Sequence, residues 1–233
     1  MITTFVRPGE GRIRLYLDSA KRPEWNEWLA TGLFYGVTTN PTVLAAAGIP
    51  CEVKALTNLV HAALEHGIHE VHVQTWGPTA EVMIEHGRAL AAINHRVIVK
   101  VPITRAGIEV IRHLRSRDIL TTFTALYAPH QALTAAVVGV EYAAPYLGRI
   151  TEGGRDGHAE VIAMQTILNR LDSSTRLLVA SVRSAGDIGV LAQSGVDTYT
   201  LTAEVAAELF NERQTLDAAA VFEEHAAGKP VAT

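Results

Sequence analysis

Short apolar and β-branched runs alternate eight times with longer segments of helical periodicity, and this alternation limits the folds open to the 233-residue chain more than any other feature. The strand-like runs fall at 13–18, 36–40, 70–74, 97–102, 120–125, 142–147, 176–182 and 198–201. Helical spacing is clearest at 52–65, 79–93, 106–117, 130–138, 158–171, 185–193 and 203–210, with a shorter pattern at 25–29. Apolar steps of three and four, as in Val53, Leu56 and Val60, mark one buried face per helix. Ser184 stands where an N-cap belongs, and Gly67, Gly139 and Gly195 stand where helices should stop.

Strands that alternate with helices form parallel sheets, and right-handed crossovers leave two solutions, a closed eight-stranded barrel or an open doubly wound sheet. The turn after the first strand reads Asp18-Ser19-Ala20-Lys21-Arg22-Pro23, with no glycine to let a pyrophosphate approach the backbone. Together with the count of eight, this favours an α/β chain folded as a (β/α)8 barrel. With 48% hydrophobic and 19% charged residues, one domain can bury a full core. The barrel is expected over about 13–211, with an Ala-rich C-terminal helix and a Gly-Lys-Pro tail over 212–233 placed to pack on a neighbouring subunit.

Active sites of such barrels lie at the C-terminal ends of the strands, so inward-facing polar residues there are the ones to collect. Asp18 closes the first run; Thr38 and Asn40 share a face of the second; Gln74 ends the third. Thr122 and Thr124 share a face of the fifth, Tyr146 and Arg149 end the sixth, and Ser181 and Arg183 end the seventh. In the fourth, Lys100 sits within Val97-Ile98-Val99-Lys100-Val101-Pro102 and is one of only four lysines in a chain that otherwise uses arginine. A lysine kept from water has its pKa lowered from about 10.4, exposing a nucleophilic amine that arginine cannot provide. Each residue alone has an ordinary structural explanation, but a purely structural barrel would close that layer with Val, Ile and Leu. His72, two residues before Gln74, reads as a hydrogen-bonded core histidine. The other nine histidines lie in helices or loops without metal-ligand spacing and read as surface residues, so no metal or other cofactor is expected.

Bulk features narrow the partners. A net charge of -4 with scattered Lys and Arg gives no basis for binding nucleic acid or an anionic membrane, and no window approaches 18 uninterrupted apolar residues. The single cysteine, Cys51, excludes an internal disulfide framework, and the first residues lack the apolar core of a signal peptide, which points to a cytoplasmic chain.

Several segments in order resemble the transaldolase family, and within it the small fructose-6-phosphate aldolase branch. They are Leu15-Tyr16-Leu17-Asp18, Gly36-Val37-Thr38-Thr39-Asn40-Pro41, Val99-Lys100-Val101-Pro102, Thr124-Ala125-Leu126-Tyr127, Tyr142-Ala143-Ala144-Pro145-Tyr146 through Arg149-Ile150, and Ala180-Ser181-Val182-Arg183. The resemblance implies a (β/α)8 TIM barrel and a class I, metal-free mechanism with Lys100 as the Schiff-base residue. It further implies that Asp18 handles the proton of the C4 hydroxyl, that Asn40 and Thr38 hold hydroxyls near the imine, and that Gln74, Thr124 and Tyr146 position a proton-shuttling water. Arg149, Ser181 and Arg183 match phosphate-binding positions, and N–H groups of the helix starting at Ser184-Ala185-Gly186 are expected to add to them.

Transaldolases generally carry glutamate at the position of Gln74 and phenylalanine at that of Tyr146, so this pair resembles the aldolase branch. The activity implied is cleavage or formation of fructose 6-phosphate, or a close analogue, through dihydroxyacetone and an aldose phosphate. A transaldolase moving the dihydroxyacetone unit between sugar phosphates is the alternative. A non-catalytic sugar-phosphate-binding barrel is a third reading, but binding alone would need no nucleophile. A pentamer-based ring, commonly a decamer, is implied, with residues 215–227 crossing to a neighbour. Three departures bear on substrate choice: Thr200-Leu201-Thr202-Ala203, where the family more often has a Leu-Pro step; Trp76, which is expected to narrow the entrance; and an N-terminus extended by about a dozen residues relative to the family.

Overall fold

A computed structural model describes residues 13–228, and the N-terminal extension lies outside them. Eight parallel strands close into a barrel in chain order: β1 (Arg14–Asp18), β2 (Gly36–Thr38), β3 (Glu70–Gln74), β4 (Val97–Pro102), β5 (Thr121–Leu126), β6 (Tyr142–Pro145), β7 (Arg176–Val179) and β8 (Thr198–Leu201). Around it run α1 (Arg22–Trp28), α2 (Pro41–Ala46), α3 (Val53–Leu64), α4 (Ala80–Ala91), α5 (Arg105–Arg115), α6 (Pro129–Val138), α7 (Leu147–Glu152), α8 (Gly157–Arg170), α9 (Ala185–Ala192) and α10 (Ala203–Glu208), followed by α11 (Arg213–Ala226). This is the expected (β/α)8 TIM barrel. Among the described residues, no helix is long and apolar enough to cross a membrane.

The period of two along each strand divides the core. Outward residues such as Leu17, Val37, Val73, Val99, Phe123 and Leu201 pack with helix residues such as Leu56, Leu90, Ile111 and Leu114 in one cluster. Truncating any of these leucines to alanine should cost about 2–5 kcal/mol. Inward residues Tyr16, Ile98, Tyr142, Ala144 and Leu178 form a separate plug inside the barrel. Register places Gln74 beside Lys100, Lys100 beside Thr122, and Pro102 beside Thr124.

The floor of the barrel interior is polar and closed on itself. Glu70 Oε2 accepts from the Tyr16 hydroxyl at 2.6 Å and the Tyr142 hydroxyl at 2.8 Å, and lies 3.2 Å from His72 Nε2. His72 Nδ1 lies 3.0 Å from Thr122 Oγ1, which makes His72 the hydrogen-bonded core histidine expected from the sequence. Arg14 bonds the Tyr142 hydroxyl, sits 3.5 Å from Glu70 Oε1, and covers the Tyr35 ring. Burial alone would raise the Glu70 pKa, but the hydrogen bonds and charge of its neighbours, His72 first, bring it down to about 2.

Three strands end earlier than the alternation predicts. β2 stops at Thr38 because Asn40 turns into the N-cap of α2, its side-chain oxygen accepting from Thr42 N at 2.9 Å and Val43 N at 3.0 Å. β6 stops at Pro145, and Tyr146 begins α7, a helix missing from the periodicity because six residues are too few to show it. β7 stops at Val179, since Ser181 takes a left-handed φ of 57° that no regular strand accepts. Helix punctuation follows the sequence closely: Ser184 caps α9, and Gly67, Gly139 and Gly195 have φ of 76°, 75° and 85°.

Candidate active site

A cleft of about 120 Å³ opens at the C-terminal ends of the strands, lined among others by Asp18, Asn40, Lys100, Tyr146, Arg149, Ser181 and Arg183. Lys100 is 3% exposed, and its Nζ donates to the Thr39 carbonyl at 2.9 Å. Burial inside the barrel lowers its pKa, while the charge of Asp18 works in the opposite sense. Asp18 is half-buried at the rim of the barrel; desolvation of its carboxyl raises its pKa, and Lys100 and the Thr38 hydroxyl partly offset that. Among the described residues, no ion pair within 4.0 Å joins Asp18 to Lys100. The two opposite charges face each other across the cleft without a contact that would quench either.

Thr38 differs from its expected role. Its side chain is fully buried, donates to Asp18 Oδ1 at 2.8 Å and lies 2.6 Å from Thr200 Oγ1. It therefore orients the carboxylate and does not line the cleft. Asn40 does line it, and because its side-chain oxygen caps α2, its amide nitrogen is the group left to donate.

Gln74 is half-buried next to Lys100 in register, and Thr124 Oγ1 lies 2.9 Å from the Tyr146 hydroxyl. Neither Gln74 nor Thr124 is part of the cleft lining, so Tyr146 is the member of that trio that meets it. Burial raises the Tyr146 pKa; the Thr124 hydrogen bond lowers it, Asp18 raises it, and Arg149 lowers it.

At the other end, the Ser181 hydroxyl is buried and has no hydrogen-bond partner among the described residues. An unpaired buried hydroxyl costs roughly 1–3 kcal/mol, and here it coincides with a strained left-handed backbone, a combination found where a site awaits a ligand. The Arg149 guanidinium lies 5.7 Å from the Tyr146 ring centroid. Arg183 Nε and Nη2 both donate to Glu152 Oε1, at 3.1 and 2.6 Å. Two of the three N–H groups expected from the start of α9 are engaged elsewhere: Ser184 N donates to Asp187 Oδ2, as does Arg183 N, and Ala185 N donates to Glu208 Oε2. The capping box of α9 engages Ser184 N through Asp187, and Glu208 of α10 takes Ala185 N.

The sequence reading missed Thr200, Thr202, Thr42 and Val43, all of which line the cleft. Thr198, Thr200 and Thr202 share one face by the period of two, and that signal was available for the first two of the wall residues. Trp76 does not narrow the entrance. Its ring stacks on His86 at 4.3 Å between centroids and packs against the outer core. Among the described residues, no group of three or more His, Cys, Asp or Glu side chains is arranged to hold a metal ion.

Comparison with known proteins agrees with the geometry. The family described as Transaldolase/Fructose-6-phosphate aldolase matches residues 15–229. A probable transaldolase from Aquifex aeolicus is 33% identical over 205 residues, covering 87% of this chain and 91% of the relative. Probable transaldolases from Caulobacter vibrioides, at 31% over 203 residues, and Thermoplasma volcanium, at 32% over 205, cover 87% of this chain and 91% and 90% of their own lengths. Among solved structures, thiamine phosphate pyrophosphorylase from Pyrococcus furiosus shares the fold with a TM-score of 0.57 at 13% identity, covering 82% of this chain and 86% of its own.

Proposed function

The chain belongs to the transaldolase/fructose-6-phosphate aldolase family, and from that premise we propose that it is a class I aldolase acting on fructose 6-phosphate, or a close ketose analogue, through a Schiff base on Lys100. The products of cleavage are dihydroxyacetone and an aldose phosphate such as glyceraldehyde 3-phosphate. The observation that carries this reading is the buried lysine with a lowered pKa, sharing one cleft with a half-buried carboxylate without an ion pair between them.

At the reference pKa, on the order of one lysine in two thousand is a free amine at pH 7, and burial of Lys100 enlarges that share. The amine adds to the C2 carbonyl of the ketose, water leaves, and the protonated imine becomes the electron sink. Asp18, oriented by Thr38, takes the proton of the C4 hydroxyl as the C3–C4 bond breaks. Its electrons move into the iminium, leaving an enamine on Lys100 and releasing the aldose phosphate. Protonation of the enamine at C3 and hydrolysis of the resulting imine return dihydroxyacetone and the free amine. Tyr146, paired with Thr124, and Gln74 beside the lysine are the groups that position water for these steps. Asn40 donates to a substrate hydroxyl. The phosphate is taken by Ser181, Arg149 and Arg183, with the unpartnered Ser181 hydroxyl as its strongest support.

A transaldolase is the second reading, favoured by the names of the relatives. Gln74 and Tyr146 favour the aldolase, because glutamine can orient a water but cannot deprotonate it, leaving a phenol to relay protons to the enamine. Product analysis with fructose 6-phosphate separates the two. Free dihydroxyacetone should accumulate without an added aldose phosphate; turnover only when an acceptor is present, with a new ketose phosphate formed and no free dihydroxyacetone, would make the enzyme a transaldolase. Borohydride trapping with the ketose should add mass at Lys100, and unchanged mass would remove the Schiff base from both readings.

The protein is further proposed to be a cytoplasmic homo-oligomer, a pentamer or decamer. No residue of α11 is buried, and Leu216 and Phe222 are exposed at 51% and 68%, an apolar side that the chain's own barrel leaves uncovered. Light scattering of the wild type and of Phe222→Glu tests this: a smaller particle is expected for the variant, and a monomeric wild type would refute assembly.

A further inference from the structure

Arg183 is about half exposed and stands at the rim of the cleft, where a free arginine would sample many rotamers. Two features of α7 hold it in one. The first is Gly148: a Cβ there would come within 2.7 Å of Arg183 Nε and 2.8 Å of its Cγ, so the arginine stem runs directly over the glycine backbone. The second is Glu152 at the end of the same helix, whose Oε1 takes both Nε and Nη2. A guanidinium has five N–H groups in a planar fork, and this arrangement commits one edge to the carboxylate while leaving three for another acceptor. The helix that presents Arg149 to the cleft thus also fixes the stem and one edge of Arg183.

We propose that Glu152 is a positioning residue that determines preference for phosphorylated substrates, by holding Arg183 so that its remaining donors face the phosphate end of the cleft beside Ser181. The inference rests on the phosphate reading of that end. Glu152 itself does not line the cleft. Its contribution is to orientation: an arginine already held in its binding geometry loses less freedom when an anion arrives. A glutamine at 152 keeps an oxygen to accept from the guanidinium, whereas alanine removes the anchor altogether.

The test measures KM and kcat for addition of dihydroxyacetone to glyceraldehyde 3-phosphate and to unphosphorylated glyceraldehyde, together with inhibition by inorganic phosphate. Glu152→Ala is expected to raise KM for the phosphorylated acceptor and the phosphate inhibition constant by about three- to tenfold, as expected from losing a few tenths to one order of affinity at a half-exposed charge pair. Its kcat, and KM for glyceraldehyde, should stay within about twofold. Glu152→Gln should recover most of the loss. An unchanged KM, a lowered KM, which would make Glu152 a competitor of phosphate, or equal changes for both acceptors would overturn the proposal. Arg183→Ala run in parallel separates the two levels. If it affects both acceptors alike, the phosphate reading and this inference fall together; if it selectively weakens the phosphorylated acceptor while Glu152→Ala does not, only the role of Glu152 fails.

Discussion

The two ends of the barrel interior are both polar, and they differ in what their polar atoms are bonded to. At the floor, one Glu70 oxygen serves Tyr16, Tyr142 and His72, and Arg14 faces the other. At the mouth, the buried Lys100 and the half-buried Asp18 form no ion pair among the described residues, and Ser181 carries a hydroxyl with no partner among the described residues. Closely bonded networks rigidify a core, whereas a buried lysine and a carboxylate that share a cleft without pairing are the arrangement perturbed-pKa chemistry needs. Polarity inside a barrel therefore does not locate a site, and neither does one unpartnered atom, since the buried Arg14 Nε at the floor lacks a partner among the described residues as the Ser181 hydroxyl does. What sets the mouth apart is a lysine and a carboxylate sharing one open cleft without an ion pair between them.

The comparison breaks first at Lys100. Lys100→Met should abolish turnover, by at least about 10⁴-fold, and eliminate borohydride trapping, since no other group can form the imine. Its melting temperature should be unchanged or higher, because removing a buried, loosely partnered charge relieves desolvation. A fall in stability like that expected at the floor would erase the distinction. Asp18→Asn should lower cleavage about 10²- to 10⁴-fold while imine trapping survives. The sign of its pH effect follows from the lysine. Asp18 favours the ammonium form, so removing its charge lowers the Lys100 pKa further, and the rise of trapping with pH should begin at lower pH than in the wild type. A shift to higher pH would contradict the electrostatics.

At the floor the cost should fall on stability. Glu70→Gln should destabilise the protein by roughly 3 kcal/mol while KM and kcat of the folded enzyme stay within about twofold. The Glu70 carboxyl titrates at about 2 in the folded state against 4.5 as the ordinary value, so the unfolded chain binds its proton first. The stabilisation is fully present above pH 4.5 and is lost as pH falls towards 2, an effect of roughly 3 kcal/mol. Denaturant unfolding of the wild type should show this loss, and Glu70→Gln should flatten it. The smallest expected effect sharpens the mouth: Ser181→Ala should raise KM for a phosphorylated substrate about two- to fivefold while leaving an unphosphorylated one unchanged, and an equal rise for both would detach Ser181 from the phosphate.

Much of this was legible in the chain because the barrel's periods are written into it. β3, β4 and β8 span the residues that the alternation marks, and the inward face of every strand follows from the period of two. Seven of the ten candidate residues meet in one cleft because they sit on or just beyond the C-terminal ends of the strands. The ends of β2 and β6 were not legible, because α2 and α7 have only six residues each, too few to show periodicity, and the end of β7 was not, because a left-handed φ at Ser181 leaves no mark in the pattern. Thr38 was misread in role for a related reason: a period places a side chain on a face but does not say whether the next shell or the solvent takes its hydroxyl.

The sequence alone determined the closed parallel barrel, the end at which chemistry collects and the lysine at its centre, since strand periodicity and residue chemistry are properties of short segments. Only the tertiary structure decided that Thr38 serves Asp18, that no ion pair joins Asp18 to Lys100, that the N–H groups of Ser184 and Ala185 are already engaged, and that Glu152 anchors Arg183. Those are relations between side chains brought together from distant strands and helices, and hydrogen-bond partnership is set by distances of a few ångströms that no local pattern encodes.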